Sequence, residues 1–320
     1  MKVLAYPASF LETWQVDHSA GTGAVVINIL LVFMLSLGFE VRGVVKVLLS
    51  EMSWPEIRDL DKDRVVLIPV GTLEDHGLHL PVDTDVRIVG EVCRLAAEKA
   101  PGEVVLLPSV VHGFSPHHMD FPGTITIGWS TFVEYVLDVC RSLARHGFRR
   151  ILIVNGHGSN QNLVEMVARL TVVEYPGVIC AAMFYLTGPK GRAAIDKVRE
   201  SDYSGGIAHA CELETSLYLA IKPELVDMRR AVKEIGYPRS EFVWYDFVDG
   251  PVKMMEYWST MSRTGVMGDP TKASVEKGRF LLEAAAEEVV DVVRDLRRRR
   301  IGRRVDHHAG AGRGRKKGGR

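Results

Sequence analysis

The sequence predicts an α/β fold with a mostly parallel sheet, and three observations carry that prediction. Apolar runs of strand length alternate with amphipathic helical stretches from about residue 60 to residue 225. The connections between those runs are long enough to hold helices, as parallel neighbours require. Of the 320 residues, 47% are apolar, which is enough for a large core and argues against global disorder.

Each element follows from its own pattern. "RVVLIPV" (64–70) has the unbroken apolar run of a strand buried on both faces, and a helix is expected from about Asp85 to Lys99. "EVVLLPS" (103–109) is the next strand. Thr131 and Glu134 have capping-box spacing, which would open a helix with Phe132, Val136, Val139, Cys140 and Leu143 on its apolar face. His146-Gly147 would close it. "RRILIVNGHGSN" gives a third strand and a glycine-rich turn into a helix near Asn160, and "GVICAAMFYL" (177–186) a fourth strand.

The ends of the chain differ from its middle. Residues 24–39 are sixteen uncharged, mostly apolar residues, short of the roughly 20 a membrane helix needs. They lack the basic flank of a signal peptide, so residues 1–43 are set aside as an apolar leader and a membrane role is not expected. From Arg294 onward twelve Lys/Arg face two Asp, so residues 294–320 carry about +10 and read as a basic, disordered tail. Such a tail could hold nucleic acid electrostatically, although its composition is better matched by a solubilising extension. Residues 44–293 are the expected domain. The four cysteines form no C-x-x-C pair, which fits a reducing, cytoplasmic setting.

In parallel sheets, ligands gather beyond the carboxyl ends of the strands, and here those ends carry the acids and imidazoles. In "LEDHGLHLPVDTD" (73–85), Glu74 and His76 are two apart and share one face of an extended segment, and Asp85 begins the next helix. Asp75 should face the other way, into solvent. Carboxylates with imidazoles suit manganese, iron or zinc better than calcium or magnesium. His157 sits between glycines in "NGHGSN", which allow a tight approach to a neighbour. The phosphate-loop lysine is absent there. In "GGIAHACELETS" (205–216), His209, Glu212 and Glu214 lie at the start of a helix whose apolar continuation marks it as buried, so its carboxylates need partners.

The runs "PVGTLEDHGLHLPVDTD", "FPGTITIG", "NGHGSNQN", "GGIAHACELETSLYLAI" and "GDPTKASVEKG" resemble, in order, the creatininase family of metal-dependent amidohydrolases. The resemblance covers about residues 53–285 and implies a three-layer α/β/α domain, often hexameric, with two divalent ions (zinc, manganese or iron). It places Glu74, Asp85 and His157 on one ion, and His76 with a bridging Asp85 on the second. In creatininase itself a further carboxylate follows the glycine-loop histidine by two residues. Ser159 stands at that position here, so Glu212 is expected to complete the second site. His209 matches a general acid/base, with Glu214 orienting it or a ligand. The loop "HGFSPHHMDFPGT" would wall the substrate, with Ser115 and His118 as polar contacts and Gly158 beside them. The implied reaction is hydrolysis of a small-molecule amide or formamide, for example on a pyrimidine nucleotide in flavin or deazaflavin biosynthesis. Creatinine or peptide hydrolysis is the alternative.

Overall fold

Strand β1 (Val65–Val70) is buried along its whole length, because both of its faces are covered. It lies between β2 (Val104–Leu106) and β3 (Arg150–Asn155), and β4 (Ile179–Phe184) closes the sheet in the order β2-β1-β3-β4. All three pairings are parallel. This is a computed structural model, and it describes residues 45–310. The apolar run 24–39 and the last ten residues lie outside the described residues.

Alternation along the strands assigns the layers. Val65 and Leu67, with Leu152 and Val154, face a core built from α2 (Thr84–Lys99), α5 (Pro189–Val198), α6 (Glu212–Ile221) and α8 (Val275–Arg298). Val66, Ile68 and Val70, with Ile151 and Ile153, face α3 (Trp129–Arg145) and α4 (Gln161–Glu174). Two short helices complete the set, α1 (Trp54–Asp59) before the sheet and α7 (Trp258–Met261) late in the chain. A separate antiparallel pair, β5 (Ile207–His209) with β6 (Met267–Gly268), lies outside the main sheet. The expected three-layer α/β/α architecture is therefore present.

Two local expectations are corrected. The third helix starts at Trp129 with Gly128 as its N-cap, so Thr131 and Glu134 sit inside its first turns rather than forming a capping box. The extended segment ends where Ile127 N–H donates to Gly113 O, and Phe132 N–H already reaches Gly128 O. A capping box does occur at Ser53 and Glu56, opening α1. The tail boundary also moves. Helix α8 continues through Arg298, and Leu296 is buried, so residues 294–298 belong to the folded domain. Arg150, at the start of β3, donates to the carbonyls of Leu296 (3.0 Å) and Arg299 (3.1 Å), satisfying groups that a helix end leaves unpaired.

Helix α8 fixes the position of α6, which begins the last motif. Its N-cap Ser274 accepts from Lys277 N–H, and Gly278 meets α6 so closely that a methyl group there would lie 1.8 Å from Ser216 O. Gly278→Ala is expected to lower the unfolding free energy by about 1–3 kcal/mol through overpacking. A downward shift of the urea midpoint would register it, and an unchanged midpoint would show that the two helices can separate.

Candidate metal centre

Register brings the motifs together. Val70 of β1 pairs with Asn155 of β3, so the loops after both strands leave the sheet side by side. Gly156 makes their contact possible, because a methyl group there would meet Asp85 O at 2.9 Å. The Asn155 side chain holds the turn, donating to His157 O at 2.7 Å and accepting from His157 N–H at 3.1 Å.

The result is a buried set of acids and imidazoles. His157 Nε2 faces the carbonyl of Phe114 (3.2 Å), which can only accept, so Nε2 carries the proton. That leaves His157 Nδ1 toward Glu74 Oε1 and Asp85 Oδ2, each at 3.2 Å. His76 Nε2 stands 3.2 Å from Asp85 Oδ1 and 3.9 Å from Glu214 Oε1. Asp85 thus lies between the two imidazoles with one oxygen toward each. Glu74, His76 and Asp85 are almost wholly buried, and Glu214 is 8% exposed.

Glu212 is elsewhere. Its carboxylate accepts from Ser201 N–H (2.8 Å) and Glu200 N–H (3.0 Å) and pairs with Lys277 Nζ. Two residues on a helix turn by about 200°, so Glu212 and Glu214 point to opposite sides. The sequence reading of Glu212 as the fifth ligand is therefore corrected, and the carboxylate beside His76 is that of Glu214. Asp75 also departs from expectation. It is buried rather than solvated, and its Oδ1 accepts from His118 Nδ1 at 2.7 Å.

The remaining predicted residues gather around this set. His209 Nε2 donates to Asp75 O (2.8 Å), which leaves Nδ1 3.7 Å from Glu74 Oε1. Ser115 is fully buried and donates its hydroxyl to Glu74 Oε2, so it orients an acid and is not free to meet a substrate. His118 Nε2 lies 3.9 Å from Glu74 Oε1. Gly158 is exposed, with open space where a side chain would be. Ser159 Oγ is 3.2 Å from His117 Nε2. Sequence reasoning missed Trp258, whose ring stacks on His118 at 4.7 Å and meets His209 edge-on at 5.0 Å. No motif surrounds Trp258, so only the tertiary contact reveals it.

Burial works against ionisation of Glu74, but the neighbouring His118 and His157 outweigh it and hold the carboxyl well below its usual range. His76 and His157 are pushed up to about 10: burial opposes the charge, and the carboxylates (Asp85 foremost for His76, Glu74 for His157) overcome it. Burial, with the repulsion of Asp85 and Glu74, lifts Glu214 to about 7, against the pull of His76. Burial likewise lowers His209 to about 3, so it is neutral. Protons on two imidazoles therefore balance the acids.

A cation fits this arrangement better than those protons do. His76 Nε2 and Asp85 Oδ2 are buried without a hydrogen-bond partner, although ring nitrogens and carboxylate oxygens stand 3.2 Å apart. Glu74, His76 and Asp85 present ligand atoms within 4.8 Å of one another, and so do His76, His209 and Glu214. Atoms that face each other at contact distance without hydrogen-bond alignment are what ligands around an ion look like. Imidazole and carboxylate together suit zinc, manganese or iron.

A parallel α/β/α sheet with acids and imidazoles at its carboxyl edge defines a metal-dependent hydrolase. The family model described as creatininase, creatinine amidohydrolase, matches residues 50–293. The chain belongs to the creatininase family and is an amidohydrolase, cleaving C–N bonds. It is 31% identical to a creatinine amidohydrolase of Pseudomonas putida, over 78% of this chain and 96% of that one. A mycofactocin precursor peptide peptidase of Mycobacterium ulcerans is 33% identical, over 74% and 84%. A 2-amino-5-formylamino-6-ribosylaminopyrimidin-4(3H)-one 5'-monophosphate deformylase of Methanocaldococcus infernus is 29% identical, over 43% and 57%. Among solved structures, a mutant creatininase of Zn-Zn type superimposes with a TM-score of 0.66 at 28% identity, over 78% and 98%. A manganese creatininase gives 0.66 at 29%, with the same coverage.

Two predictions follow from the geometry. Because His76 and His157 hold protons up to about pH 10, an incoming ion must displace them. Zinc affinity should therefore rise with pH across the neutral range, and uptake should release protons, visible by calorimetry in buffers of different ionisation enthalpy. Uptake without proton release would contradict this charge balance. Glu214→Gln should cost one bound ion with little loss of stability. Glu212→Gln should keep the ion count and destabilise the fold by about 1–3 kcal/mol, because Lys277 loses its buried carboxylate partner and keeps only the exposed Glu200. Ion counting and urea unfolding separate the two, and the opposite pattern would restore Glu212 as the ligand.

Proposed function

We propose that this amidohydrolase cleaves an amide or formamide C–N bond of a small molecule, and that Glu74, Asp85 and His157 hold one divalent ion while His76, Asp85 and Glu214 hold a second. The observation that carries this reading is Asp85, which is buried and directs one oxygen to each of two imidazoles at 3.2 Å. Such ions supply a water of lowered pKa and polarisation of the scissile carbonyl.

The protein's own groups do the rest. Ser115 fixes the rotation of Glu74, and Phe114 O and Glu74 O fix the rings of His157 and His76. His209, held through its Nε2–H by Asp75 O, presents a bare Nδ1 to the site, where it would first take a proton from the attacking water and then pass that proton to the leaving nitrogen. Trp258 packs over His118 and His209 and keeps water from them. Asp75 and Trp258 lock the two rings in place, so His118 can offer Nε2 to an N–H of the substrate.

Among substrates, a formamide on a pyrimidine nucleotide is favoured over creatinine. In the site, Ser159 contacts His117 and supplies no carboxylate, and Glu214 stands where one is needed. Peptide-processing relatives share the family, which keeps peptide cleavage as the alternative. A homo-oligomer fits the same reading, since Met119, Ile125 and, at the start of α3, Trp129 leave apolar surface exposed.

The test is formate release from the formamidopyrimidine ribonucleotide by protein loaded anaerobically with Fe(II), Mn(II) or Zn(II). Turnover should fall at least 100-fold in Asp85→Ala. Absence of formate with every metal, despite full metal uptake, would reject this substrate and direct the search to peptides and other amides.

A further inference from the structure

One group of potential ligands shares only Glu74 with the two ion positions above. Glu74, His118 and His209 also bring ligand atoms within 4.8 Å of one another, and all three residues are buried. His118 Nε2 and His209 Nδ1 lie 3.9 Å and 3.7 Å from Glu74 Oε1.

The outer partners of these side chains are more telling than the distances. Metal-binding imidazoles usually give their second N–H to a carboxylate or a carbonyl, which fixes the ring and leaves the other nitrogen bare. Asp75 does this for both rings. Its carboxylate takes the Nδ1 proton of His118 at 2.7 Å, and its carbonyl takes the Nε2 proton of His209 at 2.8 Å. Ser115 in turn occupies Glu74 Oε2. Trp258 stacks on His118 and meets His209 edge-on, and its own N–H is fixed by Gly265 O at 2.9 Å. Every member of the trio is thus oriented from behind. Two imidazoles and one carboxylate are a ligand set for zinc that leaves a fourth position open.

We propose that Glu74, His118 and His209 form a third divalent-cation position, able to take zinc, whose filling inhibits the enzyme by making His209 a ligand. Tetrahedral zinc at about 2.1 Å from its ligands sets them about 3.4 Å apart, so the two separations from Glu74 Oε1 close by a few tenths of an ångström on binding. Glu74 Oε1 already faces His157, so this position competes with the first ion for electron density on one oxygen and is the weakest of the three. Binding there forms coordinate bonds only, with no redox change. The inhibitory consequence rests on the hydrolytic role proposed for His209, whereas the ion count does not.

Metal-depleted full-length protein would be equilibrated with graded zinc, and bound ions counted by mass spectrometry of the elements after gel filtration. Wild type should hold one more ion at saturation than His118→Ala or His118→Gln, the second variant guarding against a folding defect in the first. Asp75→Asn should weaken that last ion by about 10–100-fold, because the amide no longer accepts unambiguously from His118. The exposed His307 and His308 are common to all four proteins and cancel in the comparison. Equal counts, or a wild-type total of two, would overturn the site. In an amide-hydrolysis assay, turnover should fall as the last ion binds, and level turnover would overturn the inhibitory role. If no substrate is hydrolysed at any loading, the proposed reaction fails while the ion count still decides the site.

Discussion

Three carboxylates, those of Glu74, Asp85 and Glu214, are held together where water scarcely reaches, and the rest of the molecule is arranged around that repulsion. Burying unpaired charge is among the costliest things a fold can do. Positive charge has to enter, either as protons on His76 and His157 or as cations. The oxygens and ring nitrogens are spaced for cations.

The fold supplies the stiffness that such crowding needs. Parallel register between β1 and β3 sets the two principal loops beside each other. The loop 112–124 provides Ser115 and His118, and the start of α6 provides Glu214. A second ion pair, Glu212 with Lys277, fastens α6 to α8 from the opposite side. Glu212 and Glu214 therefore part at one helix start: one anchors it through Lys277 and the other faces His76.

Much of this was legible in the sequence, and the failures have physical reasons. Strands β1 and β2 stood out because a strand buried on both faces is apolar, and β3 and the partly buried edge strand β4 because their apolar runs are as long. Glu74, His76, Asp85 and His157 were singled out in the loops after strands and His209 before a buried helix, and the structure brings all five side by side. Glu212 was misassigned because linear spacing does not show which way a helix start faces, and a turn of about 200° separates it from Glu214. Asp75 was expected in solvent because alternation along an extended segment ignores a second layer of chain, and here the loop bearing His118 covers it. Trp258 left no signal at all, since its partners lie far off in sequence. The end of the domain was drawn too early because Arg-rich composition hides an amphipathic helix whose buried face includes Val293 and Leu296.

The clamp between α6 and α8 also bears on how the protein is made. Glu214 sits in a helix whose position depends on residues 275–298, close to the end of the chain. A nascent polypeptide can present Glu74, His76 and Asp85 long before that helix leaves the ribosome. It cannot bring Glu214 beside them until residues 275–298 have been added and packed against α6. The spacing of the acids and imidazoles therefore reports on the folding of that helix as well as of the strands.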